Sequence, residues 1–407
     1  MTKPKTLDDP TAFEPAQLAA LEDPYPIYRS LHALGPSIRT ASGIHCVFGY
    51  KLADAVLRNP AFQTGPIASR FHQMLPPGAA RAELSHRINF LDGLDHARVR
   101  GLVQRAFTPA RVRDLRPFVE SKAEELLDEA EQHREAGASI DLRTSLAHPL
   151  PSLVISEMLG VPLADRDRLT NWTEAVTPLL GVEIPEKIDR ALEASEYFAA
   201  YAAGLLDERR RHPGNDLLTA MVEVTDGHER LSQEELLSLV VTLYSAGHRT
   251  TRDLFCNGLL TLLRHPEQYA DIVNNPSLVS RAINEFLRFE TPTQYVARVP
   301  AADVEISGVS FTASTPTLVL LAAANRDPAH FSRPDEFDIR RQEDASLSFA
   351  AGPHYCVGAA LARMESEVML SAITRRWPRL MLAEPTPQWW SSGPFRGIGQ
   401  LPVCAGR

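Results

Sequence analysis

Cysteine is scarce in this chain of 407 residues: there are four, Cys46, Cys256, Cys356 and Cys404, widely separated and with no Cys-x-x-Cys spacing. Such a pattern argues against structural zinc and against a disulfide framework, and leaves room for one thiolate ligand. A long hydrophobic run is missing too. The most apolar stretch, around residues 236–244, is far short of a bilayer span, and the opening MTKPKTLDDPTAFEP has no apolar signal core. The expectation is therefore a cytoplasmic protein with no membrane contact. Nor is there an excess of positive charge: the net charge is −9 with both signs interspersed, which offers nucleic acid no binding surface. No linker divides the chain, although its length alone would suggest several domains. One domain over residues 1–407 is expected, with a flexible start at about 1–14.

What is present suits a folded protein, since 44% hydrophobic and 23% charged residues suffice for a sizeable core. The most informative stretch reads Phe349-Ala-Ala-Gly-Pro-His-Tyr-Cys-Val-Gly358. From Val357 onward the apolar spacing is helical, so Cys356 stands just ahead of a helix N-terminus, where the dipole and free N–H groups favour a thiolate. Gly352 and Pro353 shape a tight loop, and Gly358, Ala359, Ala360 and Ala362 leave room for a large flat group. Taken alone, Cys356 would read as a buried structural cysteine.

A second organising element runs over 232–264. Ser232 and Glu235 form a capping box, apolar residues follow, and His265-Pro266 ends the helix, which would span ~45–50 Å at 1.5 Å per residue. Its middle reads Ala246-Gly247-His248-Arg249-Thr250-Thr251, small residues followed by hydroxyls. Upstream, His96 and Arg100 are four apart on one helical face, two cations that need an anion. Glu285 and Arg288 share a face in AINEFLRF; by itself such a pair is usually solvated and weak. Arg298 and Val296 share one face of an extended run. Short strands are expected at 37–40 and 44–48 and helices at 50–57, 112–134, 144–159, 163–180 and 188–211, whereas 62–89 reads as irregular.

The pattern Phe-x-x-Gly-x-His-x-Cys-x-Gly resembles the haem-binding signature of the cytochrome P-450 family, with Ala350 where most members carry Gly. The resemblance covers nearly the whole chain and implies a mainly α fold with small β-sheets, a triangular helix-rich single domain. It implies haem b (iron protoporphyrin IX), with Cys356 as axial ligand and His96, Arg100, Arg298 and His354 beside the propionates. Residues 246–251 resemble the family's oxygen-activation motif, with Thr250 as its threonine and Thr251 beside it. Ser245, Ala246, Thr293, Val296 and Phe395 would line the substrate pocket, residues 172–201 would form a lid, and Glu285 with Arg288 would maintain the fold. The family's third arginine is replaced by Glu336, so another residue must complete that network if it exists.

Arg249 departs from the family, which usually carries a carboxylate there. A guanidinium stays protonated and accepts no hydrogen bond, so Arg249 cannot relay protons. It either pairs with Asp253 one turn on, or binds a substrate carboxylate, or accompanies atypical oxygen chemistry. The resemblance implies a soluble bacterial monooxygenase that oxidises a small or medium apolar molecule, such as a natural-product intermediate. Electrons would come from NAD(P)H through ferredoxin reductase and ferredoxin, the latter docking near Arg100, Arg105 and Arg363. Peroxide-driven or coupling chemistry, and a non-catalytic haem sensor, are the alternatives.

Overall fold

The computed structural model describes residues 12–133, 139–176, 179, 185–224, 229–343, 346–383 and 388–405. It is mainly helical with small sheets, as expected. Most of the flexible start expected at 1–14 lies outside the described residues, as do the ends of the helices expected at 112–134 and 163–180; Phe13 is fully buried.

One helix, Gln233–Leu263, passes through the middle of the molecule, because its apolar residues cover more than one face and other helices pack all round it. Its N-terminus carries the expected box: Ser232 Oγ accepts from Glu235 N–H, and Glu235 accepts from Ser232 N–H. Helix Pro149–Leu159, helix Val279–Phe289 and the cysteine helix Ala359–Arg376 all lie against it. Gly258 permits the closest approach, since a Cβ there would stand 2.1 Å from the Phe286 ring.

The largest sheet has five strands in the order Ser37–Arg39, His45–Val47, Thr317–Val319, Val296–Pro300, Phe62–Gln63. Within it Arg298 faces Thr317, and Val296 faces Val319, across antiparallel strands. A separate hairpin, Trp389–Ser392 with Phe395–Ile398, turns at Gly393 (φ +54°).

The irregular region expected at 62–89 is instead largely helical, over Gly65–Met74 and Ala79–His86. Tertiary contacts explain the difference. The Ala79–His86 helix is anchored by Glu83, whose carbonyl accepts from Ser238 Oγ at 3.0 Å on the central helix and whose carboxylate pairs with Arg87 at 2.7 Å. Arg87 is one turn away, but Ser238 is 155 residues on, so the Ala- and Gly-rich local pattern carries no trace of that anchor.

Because Phe286 is buried and cannot yield, Gly258→Ala should destabilise the protein by about 1–3 kcal/mol. Urea denaturation followed by circular dichroism gives the value.

Candidate active site

The cysteine loop is built on backbone geometry. Cys356 N–H donates to the Phe349 carbonyl at 3.0 Å, and Tyr355 N–H donates to that of Gly352 at 3.0 Å. Gly352 has φ +69°, and a Cβ there would lie 2.5 Å from the Leu57 carbonyl oxygen, so only glycine lets the loop press on helix Tyr50–Arg58. Ala350 also stands at positive φ, +57°, where its methyl group carries a conformational cost. The cysteine is solvent-accessible yet closely surrounded by protein. Burial pushes its thiol above the ordinary value, against the opposing pull of the Gly358 N–H and the Arg100 charge. Burial thus works against the thiolate that the helix terminus favours, and a bound metal cation would favour it.

Cations and imidazoles converge on this loop. The His96 and His354 rings lie with centroids 4.2 Å apart, and His354 Nε2 is 3.9 Å from an Asp92 oxygen. Burial works to raise Asp92, but His354 and the Thr64 and Gly65 N–H groups prevail and hold it down at about 2. Burial, His354 and Arg100 together push His96 down to about 4. Arg100 donates through Nη2 to the Tyr355 carbonyl at 2.7 Å, while its Nε is buried without a partner among the described residues. Arg298, 5% exposed, donates to the Ala297 carbonyl, and burial lowers it to about 10 against the attraction of Asp92. Among the described residues no carboxylate pairs with either guanidinium within ion-pair distance. A ligand that presents carboxylates beside the Cys356 sulfur would satisfy these donors, so the residues fit a haem.

In the central helix Ala246 is exposed, Ser245 Oγ donates to the Thr242 carbonyl, and Thr250 Oγ1 donates to the Ala246 carbonyl at 2.9 Å. Thr251 is buried and donates to Gly247. Gly247 serves packing, since a Cβ there would meet Ile155 at 3.1 Å. His248 is buried too; Nδ1 lies 3.1 Å from the Tyr244 carbonyl, Nε2 has no partner among the described residues, and burial drives the ring's pKa down to about 3. Thr293 bridges to Phe395, which brings two expected lining residues together, and Val296 is half-buried on the adjoining strand.

The partner expected for Arg249 is engaged elsewhere. Asp253 forms a 2.8 Å ion pair with the adjacent Arg252, and Arg249 affects it only as one of several nearby positive charges. The Arg249 guanidinium lies 4.7 Å from the Trp390 ring centroid and 5.1 Å from that of Phe395. Of the three arginines expected to dock a ferredoxin, only Arg105 is exposed. Arg100 turns into the site, and Arg363 is bonded to Asn284 and lies over the Phe349 ring.

Glu285 and Arg288 form a two-pronged ion pair at 2.7 and 2.8 Å, each side chain 2% exposed. The arginine that joins them is Arg341, 3.3 Å from Glu285. It stands five residues after Glu336, outside the stretch where a third arginine was sought. Asp92 was also missed, although it precedes the His96 helix in Leu91-Asp-Gly-Leu-Asp-His96.

The family profile described as Cytochrome P450 matches residues 43–381. The chain belongs to the cytochrome P450 family. It is 38% identical over 389 residues to the cytochrome P450 monooxygenase PikC of Streptomyces venezuelae, a match covering 94% of this chain and 91% of that one. The crystal structure of CalO2 superposes with a TM-score of 0.90 at 33% identity, covering 97% of this chain and 99% of the other. That of P450BioI in complex with an acyl carrier protein ligated to hexadec-9Z-enoic acid gives 0.87 at 31%, covering 95% and 98%. The chain is thus a P450 monooxygenase, and its cofactor is haem held by a cysteine thiolate.

Two measurements test the local physics. Ala350→Gly removes the methyl group from a left-handed position and should stabilise the protein by about 0.5–1 kcal/mol in urea denaturation. His248 stays unprotonated in the native state down to about 3, whereas an unfolded histidine takes up its proton near 6.5. Its contribution to stability is therefore complete above that unfolded value and falls as pH drops below it, with a slope of up to about 1.4 kcal/mol per pH unit. His248→Gln should flatten part of this loss when urea midpoints are compared at about pH 7.5 and about pH 5.

Proposed function

We propose that this P450 oxidises a small or medium apolar molecule, most simply by hydroxylation, with electrons passed from NAD(P)H through a separate ferredoxin reductase and ferredoxin. The observation that carries the reading is the pair of cationic donors around the His96 and His354 rings, half-buried Arg100 beside the accessible cysteine and buried Arg298, neither of which has a carboxylate within ion-pair distance among the described residues. We read the whole chain as one domain working in the cytoplasm.

In this reading Cys356 ligates the iron, and His96, Arg100, Arg298 and His354 hold the two propionates. When bound, the haem supplies the oxidising chemistry. Asp92 keeps His354 oriented toward that site. The Thr250 hydroxyl, bonded back to the Ala246 carbonyl, can turn to donate into the space above Ala246 and hold a proton there. Thr251 is bonded to its own helix and supports the backbone at this point. Ser245, Ala246, Thr293, Val296 and Phe395 border the substrate, and their small or apolar surfaces select against strongly polar molecules. The Glu285, Arg288 and Arg341 cluster maintains the fold beneath the cysteine loop.

The relatives support a natural-product substrate, since one that matches 87% of this chain at 36% identity is named mycinamicin IV hydroxylase/epoxidase, from Micromonospora griseorubida. Binding of a substrate carboxylate by Arg249 has less support, because that guanidinium lies over two aromatic rings.

The test is the absorption spectrum of the dithionite-reduced protein under carbon monoxide. A red-shifted Soret band, lost in Cys356→His although the imidazole still offers the iron a ligand, is the expected result. An unshifted band in fresh native protein would overturn the assignment of Cys356.

A further inference from the structure

The hairpin Trp389–Ser392 with Phe395–Ile398 meets the central helix along a seam whose chemistry is unusually specific. Asn257 Nδ2 donates to the Arg396 carbonyl at 3.1 Å. Gly397 is wedged between the ring of its hairpin partner Trp390 and the helix, so that a Cβ there would stand 2.6 Å from that ring and 3.0 Å from the Asp253 carboxyl carbon. Arg252, paired with Asp253, has its guanidinium 5.8 Å from the Trp390 ring centroid. One turn earlier, Arg249 reaches Trp390 and Phe395 together, at 4.7 and 5.1 Å. Trp390 Nε1–H donates to the Ile398 carbonyl, which fixes the indole relative to its own hairpin. Phe395 in turn bridges to Thr293, at the start of the extended run that leads to Arg298.

We infer that Arg249 is a positioning residue that clamps this hairpin to the central helix through the faces of Trp390 and Phe395, and so sets where Phe395 stands at the edge of the substrate site. Aromatic faces carry negative charge density: they attract a guanidinium and repel a carboxylate. Arginine at this position therefore matches Trp390 and Phe395, and an acidic residue would push against them. The departure of residue 249 from the family pattern is then a matter of pocket shape. The inference rests on the proposed role of Phe395 at the site, but the clamp itself does not require it.

The experiment compares wild type with Arg249→Lys, Arg249→Gln, Arg249→Glu, Trp390→Leu and the Arg249→Gln/Trp390→Leu double variant, all as holoprotein. Hydrogen exchange of the amides in 389–398 reads the clamp directly and does not depend on catalysis. Exchange should rise about 5- to 20-fold in Arg249→Gln, less in Arg249→Lys and more in Arg249→Glu, with the double variant no faster than the faster single one. Binding of 4-phenylimidazole, followed by its haem absorbance change, should weaken in the same order if Phe395 borders the site. Unchanged exchange in Arg249→Gln, or effects of the two single changes that simply add, would overturn the clamp. Faster exchange with unchanged 4-phenylimidazole binding would keep the clamp and overturn its link to the substrate site. A rise in product formed per NAD(P)H in Arg249→Glu without faster exchange would make residue 249 a proton-delivery position and overturn the inference.

Discussion

A carboxylate shared by two guanidiniums, all but sealed from water, determines where the cysteine loop can run. Glu285 receives two hydrogen bonds from Arg288 and the approach of Arg341, and it also accepts from the Asp338 N–H. The arginines spend their remaining donors on main-chain carbonyls: Arg288 reaches Asn325, Pro334 and Glu336, and Arg341 reaches Ser332, Arg333 and Glu336. Every charge is thus paired and hydrogen-bonded, the condition under which burying it is tolerable, and loss of one partner would leave an uncompensated charge costing about 3–5 kcal/mol. From Asn325 the order passes on. Its side chain binds Ser348 and accepts from the Leu347 N–H, and Ser348 Oγ also reaches the Leu287 carbonyl. Residue 349 follows at once, and its carbonyl receives the Cys356 N–H.

The floor that this network secures explains how a loop with two left-handed residues keeps one shape. Gly352 takes its conformation without penalty, but Ala350 does so only because the flanking segments are already fixed. Above the floor, the central helix supplies hydroxyls and an exposed small residue, and the strand with Arg298 supplies buried charge. The site has the features expected of a protein that leaves its charge deficit to a cofactor: Arg100 Nε beside the sulfur lacks an acceptor among the described residues, and burial pushes the Cys356 thiol above its ordinary value. Cofactor binding and the stability of this region should accordingly be linked.

Much of this was legible in the residues. The cap of the central helix depends on Ser232 and Glu235, three apart, and formed where the local pattern put it. The cysteine loop, the helix after it and the pairing of Glu285 with Arg288 are likewise short-range patterns. The same reasoning failed at 62–89, where helix Ala79–His86 gains Ser238 as a partner 155 residues after Glu83. It also failed for Arg249. A partner one turn away on the same helix was the natural expectation, yet the neighbouring Arg252 took Asp253, and the aromatic rings came from a hairpin more than a hundred residues on.

By itself, then, the sequence determined the elements whose signals lie within a turn or two of chain: the capped helix, the cysteine ahead of its own helix, and the hydroxyls and small residues that mark the helix centre. Only the tertiary structure decided which charges are matched. It joined Arg341 to Glu285, set Asp92 behind His354, left Arg100 and Arg298 with no carboxylate within ion-pair distance among the described residues, and laid Arg249 over Trp390 and Phe395. The reason is physical. Local propensity acts over the spacing of one helical turn, whereas the cost of burying a charge depends on every group that folding brings within a few ångströms of it.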